Sequence, residues 1–195
     1  MNVERRIRDI CCVTAGYPFR SQINQDSGGN VLVVQPRDIH PNETVRLGGL
    51  VRARADAVRR EHWVRSGDVL FVNRGRFEAA VFWGDTAEAV ICSHSVLSLR
   101  VNAGEINPAY LALYLNSPAG QRALNRVGQT STVPFVSRAN VEELLIPVPI
   151  MERQRVLVEL GMAALRFRQL SRRKAELMDN IIGGEISGAE AREVK

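Results

Sequence analysis

The sequence predicts an α+β fold, a β-rich domain with small helices over residues 1–150 followed by one long coiled-coil helix. Three observations predict it. Short β-branched and aromatic runs alternate with Gly, Asn and Pro turn signals through the first hundred residues. Prolines then stand where they open two short helices. Beyond residue 150 the apolar residues fall into a heptad. With 195 residues, 45% of them hydrophobic, the chain suits one core plus an appendage rather than two full domains.

Residues 7–13 read as a strand or short buried segment, and a turn-rich stretch follows at Gly16-Tyr17-Pro18-Phe19. Ser27-Gly28-Gly29-Asn30 signals a turn before the strand Val31-Leu32-Val33-Val34, which Pro36 stops. After an arginine-rich connector, Ser66-Gly67-Asp68 turns into the buried strand Val69-Leu70-Phe71-Val72. Asn73-Arg74-Gly75-Arg76 is the expected hairpin tip. Residues 79–83, 89–92 and 96–101 complete the β-rich middle. Pro108 opens a helix with an apolar face from Tyr110, Leu111, Leu113, Tyr114 and Leu115, and a second helical piece covers residues 118–127. Gly128-Gln129-Thr130-Ser131-Thr132 is a polar loop, residues 141–145 are apolar, and Pro147-Val148-Pro149 forces an extended segment that marks the domain boundary.

Beyond it, Val156, Leu160, Ala163, Phe167, Leu170, Lys174, Leu177 and Ile181 recur at alternating spacings of four and three, a heptad seam with one polar interruption. Leu157, Ala164 and Met178 widen the stripe. Gly183-Gly184 is expected to end this helix, giving a helical unit at residues 151–184 and a flexible tail at 185–195. Residues 152–182 would span roughly 45 Å. A sustained seam of that length favours pairing with another long helix, in a second copy or a different subunit, with Lys174 helping to fix the register. The heptads suit parallel and antiparallel pairing alike.

No run approaches the eighteen apolar residues of a membrane helix, and no apolar signal stretch follows the first residues, so a cytoplasmic protein is expected. The cysteines, Cys11, Cys12 and Cys92, match neither a disulfide framework nor a zinc spacing and read as small buried thiols; no metal and no cofactor is expected. Of 26 basic residues only Lys174 and Lys195 are lysine. The arginines at 46, 52, 54, 59, 60, 65, 74 and 76 meet only Asp56, Glu61 and Asp68 within their segment, a local surplus equal to the chain's net charge of +5. A concentrated positive patch suits a polyanion; a solvated loop and a compositional arginine bias are the bland alternatives.

The segment Ile146-Pro147-Val148-Pro149-Ile150-Met151-Glu152-Arg153-Gln154, running directly into the heptad helix, resembles the junction after a target-recognition domain in type I restriction-modification specificity subunits. Other pieces stand in that family's order: Gly16 to Phe19; Gly67-Asp68-Val69-Leu70-Phe71 leading to Arg74-Gly75; Ser93-His94-Ser95 before Val96-Leu97; Asn107-Pro108-Ala109-Tyr110-Leu111; and Gly128-Gln129-Thr130. The family often carries a second proline and a glutamate where this chain has Ile150 and Arg153. Full specificity subunits contain two recognition domains and two long helices, so the resemblance implies a half-length form with a single target-recognition domain. Such a form would pair as a homodimer through its helix, antiparallel by analogy. It would read a bipartite palindrome of double-stranded DNA, and deliver it to a separate methyltransferase subunit that a restriction-translocation subunit can join, in restriction-modification or a related phage-defence system.

Candidate DNA-binding residues follow. Arg74 and Arg76 flank a glycine at a loop tip, from which an arginine reaches a guanine edge or a phosphate. Thr130 and Ser131, with Thr132, offer hydroxyl and backbone donors to phosphate. Arg52, Arg54, Arg59 and Arg60 suit non-specific backbone contact, as does Arg138, and His94 stands near a strand end. Each also has a plain reading as a turn or surface residue.

No catalytic residue is expected. The chain has neither the glycine-rich cofactor loop nor the Asn/Asp-Pro-Pro-aromatic motif of a methyltransferase, and no acid cluster with a lysine as in a nuclease. Cys92 and His94, two apart, form a minor nucleophile candidate if both lie on one strand. The rival reading of the whole chain is a non-catalytic interaction module that binds an acidic protein partner or RNA through its basic patch and helix; few aromatics (6%) argue against single-strand stacking.

Overall fold

The computed structural model describes residues 3–41, 43–102, 104–128 and 132–193, with side chains through residue 182. In chain order the elements are β1 (Val3–Arg6), α1 (Ile7–Ile10), β2 (Cys11–Ala15), β3 (Val31–Val34), β4 (Val51–Ala53), β5 (Val69–Val72), β6 (Ala79–Val81), β7 (Val90–Cys92), β8 (Val96–Val101), α2 (Pro108–Asn116), α3 (Pro118–Val127), α4 (Arg138–Glu142), β9 (Leu145–Val148) and α5 (Met151–Glu193). This is the expected mixed architecture, with strands first, small helices next and a long helix last.

The strands form an antiparallel sheet in the order β2-β8-β5-β6, a mixed sheet in the order β4-β3-β7, and a pair β1-β9. Every residue of β5 is buried, and the period of two explains why. Val69 and Phe71 point into a core shared with Leu111, Leu115 and Leu124 of α2 and α3. Leu70 and Val72 point the other way, into a core with Val34 of β3 and Val90 and Cys92 of β7. The four-stranded sheet is therefore the middle layer, and β5 and β6 read as continuous apolar runs because both of their faces are covered.

The short helices start where sequence chemistry places them. Asn107 caps α2, its side chain accepting from the Ala109 N–H, and Ser117 caps α3, accepting from the Gly120 N–H. Pro108 and Pro118 occupy the first helical positions, where a missing N–H costs nothing. Four elements lay outside the sequence expectation. α4 is one turn capped by Ser137, too short for a periodic signal. α1 is one turn within the segment read as a strand. β1 acquires strand geometry only by pairing with β9, Val3 opposite Val148. β4, inside the arginine-rich connector, pairs with β3, Arg52 opposite Leu32.

Two polar residues are buried for structural reasons. Asp68 receives two hydrogen bonds from Arg100, Nε at 2.9 Å and Nη2 at 2.7 Å, together with the Arg65 N–H and the Ser98 hydroxyl. Gln154, fully buried in the first turns of α5, accepts from the Asn107 N–H at 2.7 Å and donates to the Pro149 carbonyl at 2.8 Å. Leu157 and Val158 pack on the domain core beside it, whereas Val156 is exposed. The first turns of the helix are thus rooted in the domain through Gln154, Leu157 and Val158.

The chain divides into two compact units, Met1–Val158 and Glu159–Lys195. In the second, Leu160, Phe167, Leu170, Leu177 and Ile181 of the seam are all exposed, as are Ala163 and Lys174. The helix does not stop at Gly183-Gly184: its backbone continues to Glu193. Glycine weakens a helix by about 1 kcal/mol but forbids nothing; a stop requires a left-handed turn that this pair does not adopt. Among the described residues no helix is long and apolar enough to cross a membrane.

The cysteines divide by strand alternation. Cys11 and Cys92 are buried and Cys12 is exposed, which corrects the expectation of three buried thiols. Burial, with smaller contributions from Cys12 and Glu105, pushes the Cys11 thiol up to about 12. Burial, then Asp68, raises that of Cys92 further. Titration with a disulfide reagent at pH 8 is expected to modify one thiol, Cys12, in the folded chain and all three after denaturation; loss of this selectivity in C12S, rather than of the reactive thiol, would contradict the assignment. Gln154→Ala strands the Asn107 N–H and is expected to cost about 1–3 kcal/mol in chemical denaturation.

Candidate nucleic-acid interface

The loop joining β5 to β6 is held by two other segments. Asn73 is its hub and is buried. Its N–H donates to the Ser95 carbonyl at 3.1 Å, its carbonyl accepts from the Val136 N–H at 2.9 Å, and its side-chain Nδ2 donates to the Val136 carbonyl at 3.0 Å. The next step is tied as well, since the Gly75 N–H donates to the Pro134 carbonyl at 2.8 Å. Gly75 has φ +84°, a conformation natural to glycine, so the turn itself requires the glycine between the two arginines. Three motifs distant in sequence, the Arg74 loop, the Ser93-His94-Ser95 turn and the segment ending the polar loop, converge on one residue.

On this scaffold Arg74 and Phe135 form a two-residue antiparallel bridge, and the Arg74 guanidinium lies over the Phe135 ring, 4.9 Å from its centroid. Arg74 is exposed. Arg76 is exposed too, but its Nη2 lies 3.2 Å from the largely buried Glu78 carboxylate. His94 sits exposed in the β7–β8 turn. Cys92 points into the core, so buried thiol and exposed imidazole form no nucleophile pair. Thr130 and Ser131 lie outside the described residues. Phe135 and Asn73 were not candidates from the sequence: an aromatic after a proline and an asparagine after a strand carry no signal until the loops are brought together.

The other arginine candidates belong to the mixed sheet and its flanks. Arg52 pairs with Glu88 and also reaches the Gly29 carbonyl. Arg54 lies 3.6 Å from Asp26 and donates to the Gly28 carbonyl. Arg59 lies 3.7 Å from Glu61. Arg52 lies within β4, and Arg54 directly follows it. Arg60 lines a groove of about 370 Å³ with Trp63, Arg65, Ser66, Asp85, Thr86 and Glu88. Arg138, at the start of α4, is engaged by Glu142 one turn on, at 2.7 Å. Acids from outside the basic segment, Asp26, Glu78 and Glu88, therefore neutralise part of the surplus counted along the sequence. Of the eight, Arg46, Arg60, Arg65 and Arg74 have no carboxylate partner among the described residues.

No protein-family model and no curated protein matches the sequence. Solved structures do match the fold. A chain from work on complex assembly and conformational transition of the type I R-M system aligns with a TM-score of 0.68 at 19% identity, over 90% of this chain and 41% of that one. The HsdS subunit from Thermoanaerobacter tengcongensis aligns with a TM-score of 0.62 at 18% identity, over 85% and 37%. The type I restriction-modification system S subunit from M. genitalium gives 0.56 at 13%, over 88% and 41%. The chain therefore has the fold of type I specificity subunits, and it spans about two fifths of the length of the structures it matches.

Asn73→Ala removes the side-chain bond that couples the loops. It is expected to destabilise the domain by about 1–3 kcal/mol and to speed amide exchange at Gly75 and Val136 more than in β8, read by hydrogen exchange.

Proposed function

We propose that this chain is the sequence-specific, double-stranded-DNA recognition subunit of a type I-like restriction-modification or related phage-defence complex. It carries no chemistry of its own, and it positions a separate methyltransferase subunit on a bipartite site; a restriction-translocation subunit can join the assembly. The observation that carries the reading is the convergence of three loops on Asn73, in a specificity-subunit fold, so that an exposed arginine stands on a rigid base. Base reading needs such a base, because a hydrogen-bonding pattern is matched only by donors held in place.

In this reading the chain acts as a half-length form, a recognition domain at residues 1–150 whose long helix supplies the second half-site by pairing with another copy. The exposed seam supports that pairing: Leu160, Phe167, Leu170, Leu177 and Ile181 meet nothing within their own compact unit, and a stripe of large apolar residues is stable in water only when covered. Two copies related by a two-fold axis would present the same loops twice, with the gap in the site set by the helices.

Light scattering on the full chain is expected to give a dimer, and Leu170→Asp with Ile181→Asp a monomer. Duplex affinity should fall with salt at a slope of about −0.9 per phosphate contacted. DNA exposed to the chain with its methyltransferase should carry methylation on a split palindrome. A monomer that neither binds duplex nor alters which DNA is modified would move the reading to a protein-binding module.

A further inference from the structure

We infer that Arg74, and not Arg76, is the specificity-determining residue of the hairpin loop, that its target is a guanine edge in duplex DNA, and that Phe135 is its positioning residue. This rests on the DNA-recognition reading above.

The sequence treats the two arginines alike, one on each side of Gly75. Their surroundings do not. Arg76 Nη2 lies 3.2 Å from Glu78 Oε2, an ion pair without hydrogen-bond geometry, and the Glu78 side chain is only 19% exposed; swinging Arg76 into a DNA groove would leave that buried carboxylate oxygen without its counter-charge. Arg74 has no such tie. Its guanidinium lies over Phe135 at 4.9 Å, and the kind of contact matters. Stacking uses the flat face of the guanidinium, whereas its N–H donors lie in the plane and point out of the edge. The ring covers one side of the group, and no hydrogen bond or carboxylate among the described residues occupies its donor fork.

The backbone beneath it is equally restrained. Hydrogen bonds to Ser95, Pro134 and Val136 hold the residues on either side of Arg74. A phosphate contact tolerates a mobile arginine, since charge attracts from many directions. A base-edge contact does not, because the two acceptors of guanine, O6 and N7, must be met together by two parallel donors. An arginine whose neighbours are held by backbone hydrogen bonds, covered on one side by a ring and with its donors unengaged, matches the second requirement. Arg52, Arg54, Arg59 and Arg138, all paired with carboxylates, match neither as well.

Selection from a random duplex library with the full chain, followed by sequencing, tests this. The parent chain is expected to enrich a motif containing a G·C pair that R74A renders degenerate, with discrimination at that position falling about 10- to 100-fold and the remaining positions kept. R74K and F135L should relax the same position, F135Y should retain it, and R76A should leave it unchanged. Melting curves matched to the parent chain confirm that each variant is folded.

If R74A weakens all sequences alike and preserves the motif, Arg74 is a phosphate contact and the inference is overturned while DNA recognition stands. If R76A rather than R74A erases a base preference, the assignment is reversed and equally overturned. If the parent chain enriches no sequence, the DNA-recognition reading itself fails and the inference falls with it.

Discussion

A carboxylate removed from water at the head of a central strand is tolerable only if it is met by charge and hydrogen bonds together, and Asp68 is met by both. The Arg100 guanidinium closes on it with two donors, and the same guanidinium reaches the Trp63 carbonyl at 2.9 Å. The pair joins β5 to β8, the two middle strands of the four-stranded sheet. Removing Arg100 would strand the buried Asp68 carboxylate, a loss of about 3–5 kcal/mol, whereas Arg100 itself is partly exposed. The pair is consistent with the register that sets Leu70 opposite Ser98.

From there the site is built by position rather than by reactive chemistry. β5 delivers Asn73, β8 is preceded by the turn that carries Ser95, and α4 is preceded by the segment that carries Phe135 and Val136. Three elements from separate parts of the chain thus end at one buried side chain. An exposed arginine on a flexible tip would attract DNA without discriminating among sequences; one held at its backbone and along its ring-facing side has the preorganisation that discrimination requires.

The long helix obeys a different logic. Its first turns belong to the domain, pinned by Gln154 to the Asn107 N–H and the Pro149 carbonyl, while its apolar seam is exposed beyond them. At the I-P-x-P junction, β9 pairs with β1 and so holds the point from which the helix departs.

Much of this was legible without coordinates. Buried strands, proline-opened helices and the heptad are local patterns, written in period and propensity, and the sequence by itself determined them. It also determined that Gly75 belongs in a tight turn. Other features were decided only by tertiary structure, because they depend on residues far apart in the chain. β1 and β4 became strands through their partners, and Cys12 was separated from Cys11 by which face of β2 met the core. The meaning of the arginines changed most. Eight of them counted along one segment looked alike, but Asp26, Glu78 and Glu88 approach from elsewhere and engage Arg54, Arg76 and Arg52, leaving Arg74 on the ring of Phe135. Charge acts through space, and no count along the chain records which acid the fold will place beside which base.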